Sequence, residues 1–171
     1  MYMAEGMDDG DIITQREVEI TNTETGSSLH DKLSVLGKEL LLETLPSIFD
    51  GVNGRMPQNS SRVTFAPIIT KEDEHIDFNK TAIEIYNQIR ALNSFPGAYC
   101  TLKDKRLKVY SAYVKDEYHS EKLNGEIIRV RKDGIEVKVS NGVIVFTEVQ
   151  KEGKPRMMVS DFVNGLSEDI V

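Results

Sequence analysis

Two Asx-Gly dipeptides divide the later part of this 171-residue sequence into short segments of alternating polarity. Asp133-Gly134 and Asn141-Gly142 lie between runs of β-branched residues, which is the strongest short-range signal for a two-residue hairpin turn. Five segments around these turns are predicted to be strands: 98–102, 107–114, 126–131, 135–139 and 143–149. Short strands with tight turns and few helices favour a small, mostly β barrel of the OB type.

The hairpin turns also predict which residues face each other. With the two dipeptides as turn residues, six apolar residues share one face of the sheet and form the core. They are Ile128, Val130, Val137, Val139, Ile144 and Phe146. On the other face Arg131 would pair with Glu136, and Arg129 would lie directly opposite Lys138. Like charges that face each other are destabilising. From the residues alone two interpretations stay open: Glu126, Glu148 or water offsets the repulsion, or an anion binds between the two side chains.

A long amphipathic helix is predicted in the first third of the chain. Ser28 can cap it, with Asp31 at the third position, and Pro46 marks the end of the regular pattern. Its apolar stripe consists of Leu29, Leu33, Leu36, Leu40, Leu41 and Leu45. The segments 1–3 and 13–20 before the helix are predicted to be strands.

Two shorter helices are predicted in the second part. Asn79 caps the first, whose apolar face is Ala82, Ile83, Tyr86, Ile89 and Ala91. Ser160 caps the second, which runs to Asn164. Between the long helix and these elements, residues 51–62 are rich in Gly, Pro, Asn and Ser and have no periodicity, which is typical of a linker. The sequence therefore predicts one unit over 1–50 and another over 63–171.

The charge distribution differs between these units. Residues 1–63 carry five basic and eleven acidic side chains, for a net charge of −6, whereas residues 103–156 carry thirteen basic and nine acidic side chains, for +4. An acidic front and a locally basic back suggest two units with different partners. No apolar run is long enough to span a membrane, and the first eleven residues are acidic, unlike a signal peptide. A single cysteine, Cys100, favours a reducing compartment, hence the cytoplasm.

Few residues suggest chemistry by themselves. His30, His75 and His119 lie far apart, with no metal-ligand spacing to Cys100, so no metal site is predicted. Cys100 lies in a strand pattern and is expected in the core. The acidic run from Asp8 to Asp11 has two interpretations: a solvated turn, or a loop whose carboxylate orients a histidine for acid–base work at the end of a strand.

Several blocks of the sequence resemble methionyl-tRNA formyltransferase in the order of that family. The first covers Met3 to Ile12, and the next are Leu29-His30-Asp31-Lys32-Leu33 and Pro57-Gln58. The later blocks are Val63 to Ile68, Lys71-Glu72-Asp73, Ile76-Asp77-Phe78, Ile89 to Asn93 and Phe95-Pro96-Gly97-Ala98. The resemblance implies the end of a Rossmann-like catalytic domain of α/β class, a linker, and a C-terminal OB-like domain. Met1 would then be an internal methionine of a longer protein.

The resemblance implies a reaction and its partners. Formyl-tetrahydrofolate would be the formyl donor, with its site mostly outside this chain, and the methionyl amine of initiator tRNA the acceptor. Of the family's catalytic Asn, His and Asp, only the Asp has a counterpart, Asp8, so the chain alone is expected to be inactive. The candidate tRNA contacts are Lys71, Lys105, Arg106, Lys108, Arg129, Arg131 and Lys138. The helix with its leucine stripe would be exposed and could mediate self-association.

Three alternatives remain open at the level of sequence. The first is a related formyltransferase that acts on a sugar-nucleotide amine and shares the Asp-containing loop. The second is a non-catalytic nucleic-acid-binding module, which the missing Asn and His support. The third is a purely structural fragment without activity.

Overall fold

The structure, a computed structural model, describes residues 1–102, 105–115 and 121–164. The chain divides into two compact units. Unit 1 contains residues 1–22 and 28–68, and unit 2 contains residues 23–27 and 69–171. No helix within the described residues is both long and apolar enough to cross a membrane.

Unit 1 is built around one long helix, α1, which covers Gly26–Phe49. The helix continues past Pro46, where the regular apolar pattern ends, to Phe49. A single 3₁₀ turn follows at Ser60–Arg62, with Asn59 as its N-cap. The strands predicted at 1–3 and 13–20 are not formed. Only Ile12 makes an antiparallel bridge, to Met56, because a strand needs a paired neighbour and the described residues of unit 1 supply none beyond this bridge.

The leucine stripe of α1 is only partly covered. No residue of the helix is fully buried. Leu33 and Leu41 are exposed, whereas the other four leucines of the stripe are half-buried. Leu42 and Phe49 add further exposed apolar surface.

Unit 2 begins with two short helices, α2 over Lys71–Glu74 and α3 over Ala82–Ala91. Each starts with a capping box, formed by Thr70 with Asp73 and by Thr81 with Glu84. The hydrogen bonds from each threonine lower the pKa of the partner carboxyl. The N-cap of α3 is therefore Thr81, not Asn79.

The buried face of α3 also differs from the predicted face. The helix buries Ala82, Ile85 and Ile89, while Ile83 is 53% exposed. Positions 82, 85 and 89 form one stripe at a spacing of three and four residues, and position 83 lies about 100° away around the axis. The prediction for Ile83 is therefore wrong, and Ile85 takes its place.

Six antiparallel strands follow within the described residues. They are β1 (Ala98–Leu102), β2 (Lys105–Lys115), β3 (Ile127–Arg131), β4 (Gly134–Val139), β5 (Gly142–Lys151) and β6 (Met157–Met158), and a last helix, α4, covers Val159–Asn164. The strand order is β1-β2-β5-β4-β3, with β6 paired to β5. Within the described residues β1 and β3 are not paired with each other, so closure into a barrel stays a prediction.

The core of unit 2 lies between one face of this sheet and the helices α3 and α4. It includes Ile76, Val109, Val137, Ile144, Phe146 and Phe162. Four of the six residues predicted for the sheet core are fully buried, namely Val137, Val139, Ile144 and Phe146. Val130 packs partly against the cluster.

The hairpins turn one residue earlier than the sequence predicts. Arg131 pairs with Gly134 and Val139 with Gly142, so the turn residues are 132–133 and 140–141. No residue in either turn has a positive φ, so the hairpins do not use the turn types that Asx-Gly dipeptides favour. The pairing moves by two positions, which preserves the face of each residue but changes its partner.

Two predicted charge pairs are therefore wrong. Arg129 lies opposite Glu136, not Lys138, and Arg131 lies opposite Gly134, not Glu136. A register irregularity between Ile127 and Arg129 also exchanges the neighbouring positions, so that Ile127, not Ile128, packs against the core. The outer face of these strands has no like-charge opposition to relieve.

The altered turn places Gly134 in a tight position, which yields a prediction. A Cβ at Gly134 would lie 2.3 Å from Cγ1 of Val145 and 3.0 Å from the carbonyl oxygen of Phe146. Val145 is buried and its branched side chain is stiff, so it cannot move aside without cost. We expect Gly134→Ala to lower the free energy of unfolding by about 1–3 kcal/mol, measured by urea denaturation.

Gly142 provides the matched control. It begins β5 as Gly134 begins β4, but the nearest atom to its Cβ is the Lys115 carbonyl oxygen at 3.9 Å. Gly142→Ala is expected to change stability by less than about 0.5 kcal/mol. Equal losses for the two variants would contradict this account of the hairpin.

Candidate functional site

The loop that carries Asp8 has a defined backbone. Asp8 adopts a left-handed conformation with φ at 56°, which a short polar residue tolerates better than most. Gly10 is buried, and a Cβ there would lie 1.9 Å from the carbonyl oxygen of Tyr2. The amide of Tyr2 donates to the carbonyl of Asp11 at 2.9 Å and closes the loop.

Gln58 clamps this loop from the segment predicted to be a linker. Its Nε2 donates to the carbonyl oxygens of Asp8 and Gly10, both at 2.8 Å. The Asp8 carboxylate itself is not part of this clamp, and Asp8 is exposed. The loop is therefore held by its backbone, which leaves the carboxylate available.

A second contact comes from Arg55. Its guanidinium lies 3.8 Å from the ring centroid of Tyr2 and 3.8 Å from Oδ2 of Asp11. Asn53 donates through Nδ2 to the hydroxyl of Tyr2 at 2.6 Å. Residues 53–58 thus act as structural support for the Asp8 loop as well as a connection.

The histidines and the cysteine are not brought together. His30 is exposed and lies 3.4 Å from Asp31, and His75 contacts Tyr99 edge-on at 5.2 Å. Burial raises the pKa of the Cys100 thiol to about 12, so it stays protonated and does not act as a nucleophile. Across the described ranges, no group of three His, Cys, Asp or Glu could hold a metal ion, and His119 lies outside those ranges.

The candidate basic contacts on the sheet occur in two groups, one toward each end of the strand order. Lys105, Arg106 and Lys108 lie on β2, next to the edge strand β1. Arg129, Arg131 and Lys138 lie on β3 and β4. Because β5 separates β2 from β4 in the strand order, the two groups do not form one cluster.

The two groups differ in how their charge is compensated. On β3 and β4, Arg129 lies opposite the buried Glu136, which also accepts from Nζ of Lys115 at 2.9 Å. Lys138 donates through Nζ to the carbonyl of Val139 at 2.5 Å. Arg131 is exposed. Glu136 thus lies near Arg129 in the sheet, but its ion pair is with Lys115 of β2.

On β2 the charges face aromatic rings and carbonyl groups. The guanidinium of Arg106 lies 3.9 Å from the ring centroid of Tyr99. Lys108 donates to the carbonyl of Pro96 at 2.7 Å, and Lys105 is exposed. Neither a ring nor a carbonyl cancels a full charge, so these three side chains keep their charge.

Lys71 stands apart from both groups. Its Nζ donates to both carboxylate oxygens of Glu74, at 2.7 and 3.0 Å, and Glu74 is buried. Its charge is neutralised within the fold.

Aromatic rings contact basic side chains of unit 2 in a way that the sequence did not predict. Arg156 lies 4.3 Å from the ring centroid of Tyr110 and forms a bidentate ion pair with Glu148. Arg106 makes the same kind of contact with Tyr99, and Phe95 is an aromatic side chain that is 88% exposed. The available signal was the two-residue alternation of β1 and β2, which places Tyr99 and Lys108 on the outer face.

Two family models match the chain. "Formyl transferase, C-terminal domain" matches residues 68–167, and "Formyl transferase" matches residues 1–45. This chain belongs to the formyl transferase family. The first match covers most of unit 2, and the second covers the Asp8 loop and most of α1.

Curated relatives of this formyl transferase chain carry one name. Methionyl-tRNA formyltransferase of Staphylococcus epidermidis is 42% identical over 173 residues, which cover 100% of this chain and 55% of the relative. The enzyme of the same name from Bacillus velezensis is 44% identical and covers 96% of this chain and 52% of the relative. The resemblance inferred from the sequence is thereby confirmed. The chain spans about half the length of the curated relatives it matches.

Solved structures confirm the likeness of fold. A variant of HypX from Aquifex aeolicus has a TM-score of 0.73 at 19% identity, with 99% of this chain and 31% of that chain covered. An N-formyltransferase from Helicobacter canadensis, in complex with folinic acid and dTDP-3-aminofucose, has a TM-score of 0.62 at 21% identity, with 87% and 53% covered.

The two hydrogen bonds from Gln58 to the Asp8 loop can be tested by substitution. A carboxylate at position 58 cannot donate to two carbonyl oxygens and would repel them. We expect Gln58→Glu to open the loop and to raise the rate of cleavage between Glu5 and Asp11 several-fold, by a protease that cuts after acidic residues. Mass spectrometry of the fragments locates the cuts.

Gln15→Glu is the matched control, since Gln15 is exposed in the same unit and the change of charge is the same. It should leave cleavage within 5–11 unchanged. If both variants are cut at the same rate, Gln58 does not hold the loop.

Proposed function

We propose that this chain is part of a methionyl-tRNA formyltransferase, which transfers a formyl group from formyl-tetrahydrofolate to the methionyl amine of initiator tRNA. The observation that carries the proposal is the match of 96–100% of this chain to relatives of that name, at 38–44% identity. In this proposal unit 1 belongs to the end of a Rossmann-like catalytic domain and unit 2 is an OB-like barrel. The protein would work in the cytoplasm, which the lone reduced cysteine supports.

Asp8 has the geometry for one catalytic role. The donor supplies the formyl group, and negative charge develops on the formyl oxygen when the amine attacks. A charged histidine can stabilise that oxygen and relay a proton, and a neighbouring carboxylate holds the histidine in its charged form and orientation. Asp8 is exposed on a loop that is fixed through its backbone, which supports a role as a carboxylate accessible to a histidine. No described residue of this chain is assigned to the folate donor.

The chain by itself is expected to show no formyl transfer, because an orienting carboxylate without its histidine cannot act. When the chain replaces the equivalent half of the Staphylococcus epidermidis relative, activity should appear. In that chimera Asp8→Asn should keep the fold and lower kcat/KM about a hundredfold or more. The assay measures formyl-methionyl-tRNA formation, and circular dichroism checks the fold.

The control for this experiment is Asp9→Asn, an adjacent exposed carboxylate in the same loop. It should retain most of the activity. Near-normal activity of the Asp8→Asn chimera would remove Asp8 from the mechanism.

Unit 2 is proposed to hold the tRNA through its backbone phosphates. Phosphate contacts by Lys and Arg release counterions, so binding weakens with salt in proportion to the number of contacts. The β2 group, with Lys105, Arg106 and Lys108, is the stronger candidate because no described carboxylate is paired with it. Arg129, Arg131 and Lys138 form a second group, in which Arg129 lies opposite Glu136.

Two lysine variants separate contact from structure. Lys105→Gln should weaken binding of initiator tRNA and reduce the salt slope of log K by about 1. Lys71→Gln should leave that slope unchanged but lower stability, since it leaves the buried Glu74 without its partner. Fluorescence anisotropy at several salt concentrations measures the slope. If Lys71→Gln reduced the salt slope and Lys105→Gln left it unchanged, Lys71 rather than Lys105 would be the phosphate contact.

A second candidate function is formyl transfer to the amine of a sugar nucleotide. The likeness to the Helicobacter canadensis structure favours it at the level of fold. Presenting the active chimera with a sugar-nucleotide amine and with methionyl-tRNA separates the two functions. Self-association through the exposed leucines of α1 is a further proposal, and sedimentation of the chain at several concentrations tests it.

A further inference from the structure

An exposed aromatic side chain stands on a fixed loop between α3 and β1. Phe95 is 88% exposed, yet its loop is fixed at both ends. Asn93 donates through Nδ2 to the carbonyl of Tyr110 at 2.5 Å, and Lys108 donates to the carbonyl of Pro96 at 2.7 Å. Gly97 adopts a φ of 86°, and a Cβ there would lie 3.1 Å from the Tyr110 ring. The loop is therefore built to hold its conformation.

A stacked cation lies on the same side of the sheet. Arg106 covers the ring of Tyr99 at 3.9 Å, and His75 supports the ring edge-on at 5.2 Å. Lys108 lies directly opposite Tyr99 in the register and reaches the Phe95 loop through Pro96. Lys108 thus joins the exposed phenyl ring to the stacked guanidinium in one surface.

This combination has a chemical meaning. Exposing a phenyl ring costs free energy that burial in a core would recover, and the loop contacts above prevent it from turning inward. Flat aromatic and guanidinium faces beside uncompensated lysines are what unpaired nucleobases and their phosphates bind. A duplex hides the faces of its bases, so only its phosphates could use such a surface.

We propose that Phe95, Tyr99, Arg106 and Lys108 form a binding surface for unpaired nucleotides of RNA. One base stacks on the ring of Phe95, and another stacks on the guanidinium of Arg106, which Tyr99 holds flat. Lys108, two residues from Arg106 on the same face of β2, attracts the connecting phosphate. The choice of RNA as partner rests on the proposed function, while the choice of unpaired nucleotides rests on the exposed flat faces.

The experiment compares a short fluorescent single-stranded RNA with a blunt duplex of the same sequence. Both are titrated with the whole 171-residue chain at low salt and followed by anisotropy. Phe95→Ala should weaken binding of the single strand by about five-fold to a hundred-fold, the usual effect of losing one stacked base. Binding of the duplex should stay within about two-fold.

Tyr113→Ala is the matched control. Tyr113 is a 44% exposed aromatic residue on the same strand, β2, but five residues beyond Lys108, which is about 17 Å along the strand. This variant should bind both RNAs like the parent.

Arg106→Lys tests stacking apart from charge, because lysine keeps the charge and loses the planar face. It should weaken binding of the single strand and leave its salt slope unchanged. An otherwise identical RNA with abasic sites should bind the parent more weakly, and the Phe95→Ala variant should show a smaller difference between the two RNAs, because only the base on Arg106 still stacks.

The outcomes separate this inference from the proposed function. If the parent binds single strand and duplex but Phe95→Ala and Arg106→Lys change neither, the stacking surface is refuted and the proposed tRNA-holding role stands. Equal losses of affinity for the single strand and the duplex in these variants would also overturn the stacking surface, since they indicate contact with phosphates only. If the parent binds no RNA at low salt, both the inference and the tRNA-holding role fail.

Discussion

The antiparallel pairing of β2 with β5 is the constraint on which unit 2 depends. It joins residues 107–115 to residues 143–151 and brings Val109 and Val149 together in the core. β1 attaches to the free side of β2, while β4 and then β3 attach to the free side of β5. This order also sets the electrostatics, because it carries the lysines of β2 and the arginines of β3 to different sides. The like-charge pair that the sequence suggested does not exist, and on β2 Arg106 and Lys108 face a ring and a carbonyl group instead.

The register shows what a two-residue period can and cannot predict. The alternation correctly placed Val137, Val139, Ile144 and Phe146 in the core, because the face of a residue depends only on parity. The partner of each residue depends on the turn, and both turns lie one residue early. Gly134 begins β4, and Val145 and the Phe146 carbonyl leave no room for a Cβ there, a tertiary contact that no local pattern encodes. The irregularity that exchanges Ile128 for Ile127 is equally invisible in the sequence.

The candidate sites show the same division between local and tertiary information. Asp8 was found only through the resemblance to a family, since an acidic turn is common, and the structure adds the reason why its loop is fixed. Gln58 lies fifty residues away and donates to two carbonyl groups of that loop, which no spacing rule predicts. In unit 2 the sequence identified the cations but not the rings that hold them. Charge is visible in a sequence, whereas the Tyr99–Arg106 contact requires the register of β1 on β2.

The Asp8 loop and the Phe95 surface should act on different parts of the reaction in the proposed enzyme. A carboxylate that orients a catalytic histidine acts where charge changes between the ground state and the transition state, so its loss lowers kcat. Contacts to RNA remote from the reacting amine are made equally in both states, so their loss raises KM and leaves kcat nearly unchanged. A remote contact lowers kcat only if its binding energy is used to position the amine. The Phe95 loop is held by its own hydrogen bonds to β2, so it needs no substrate to form and resembles a fixed holding surface more than a device that closes on the substrate.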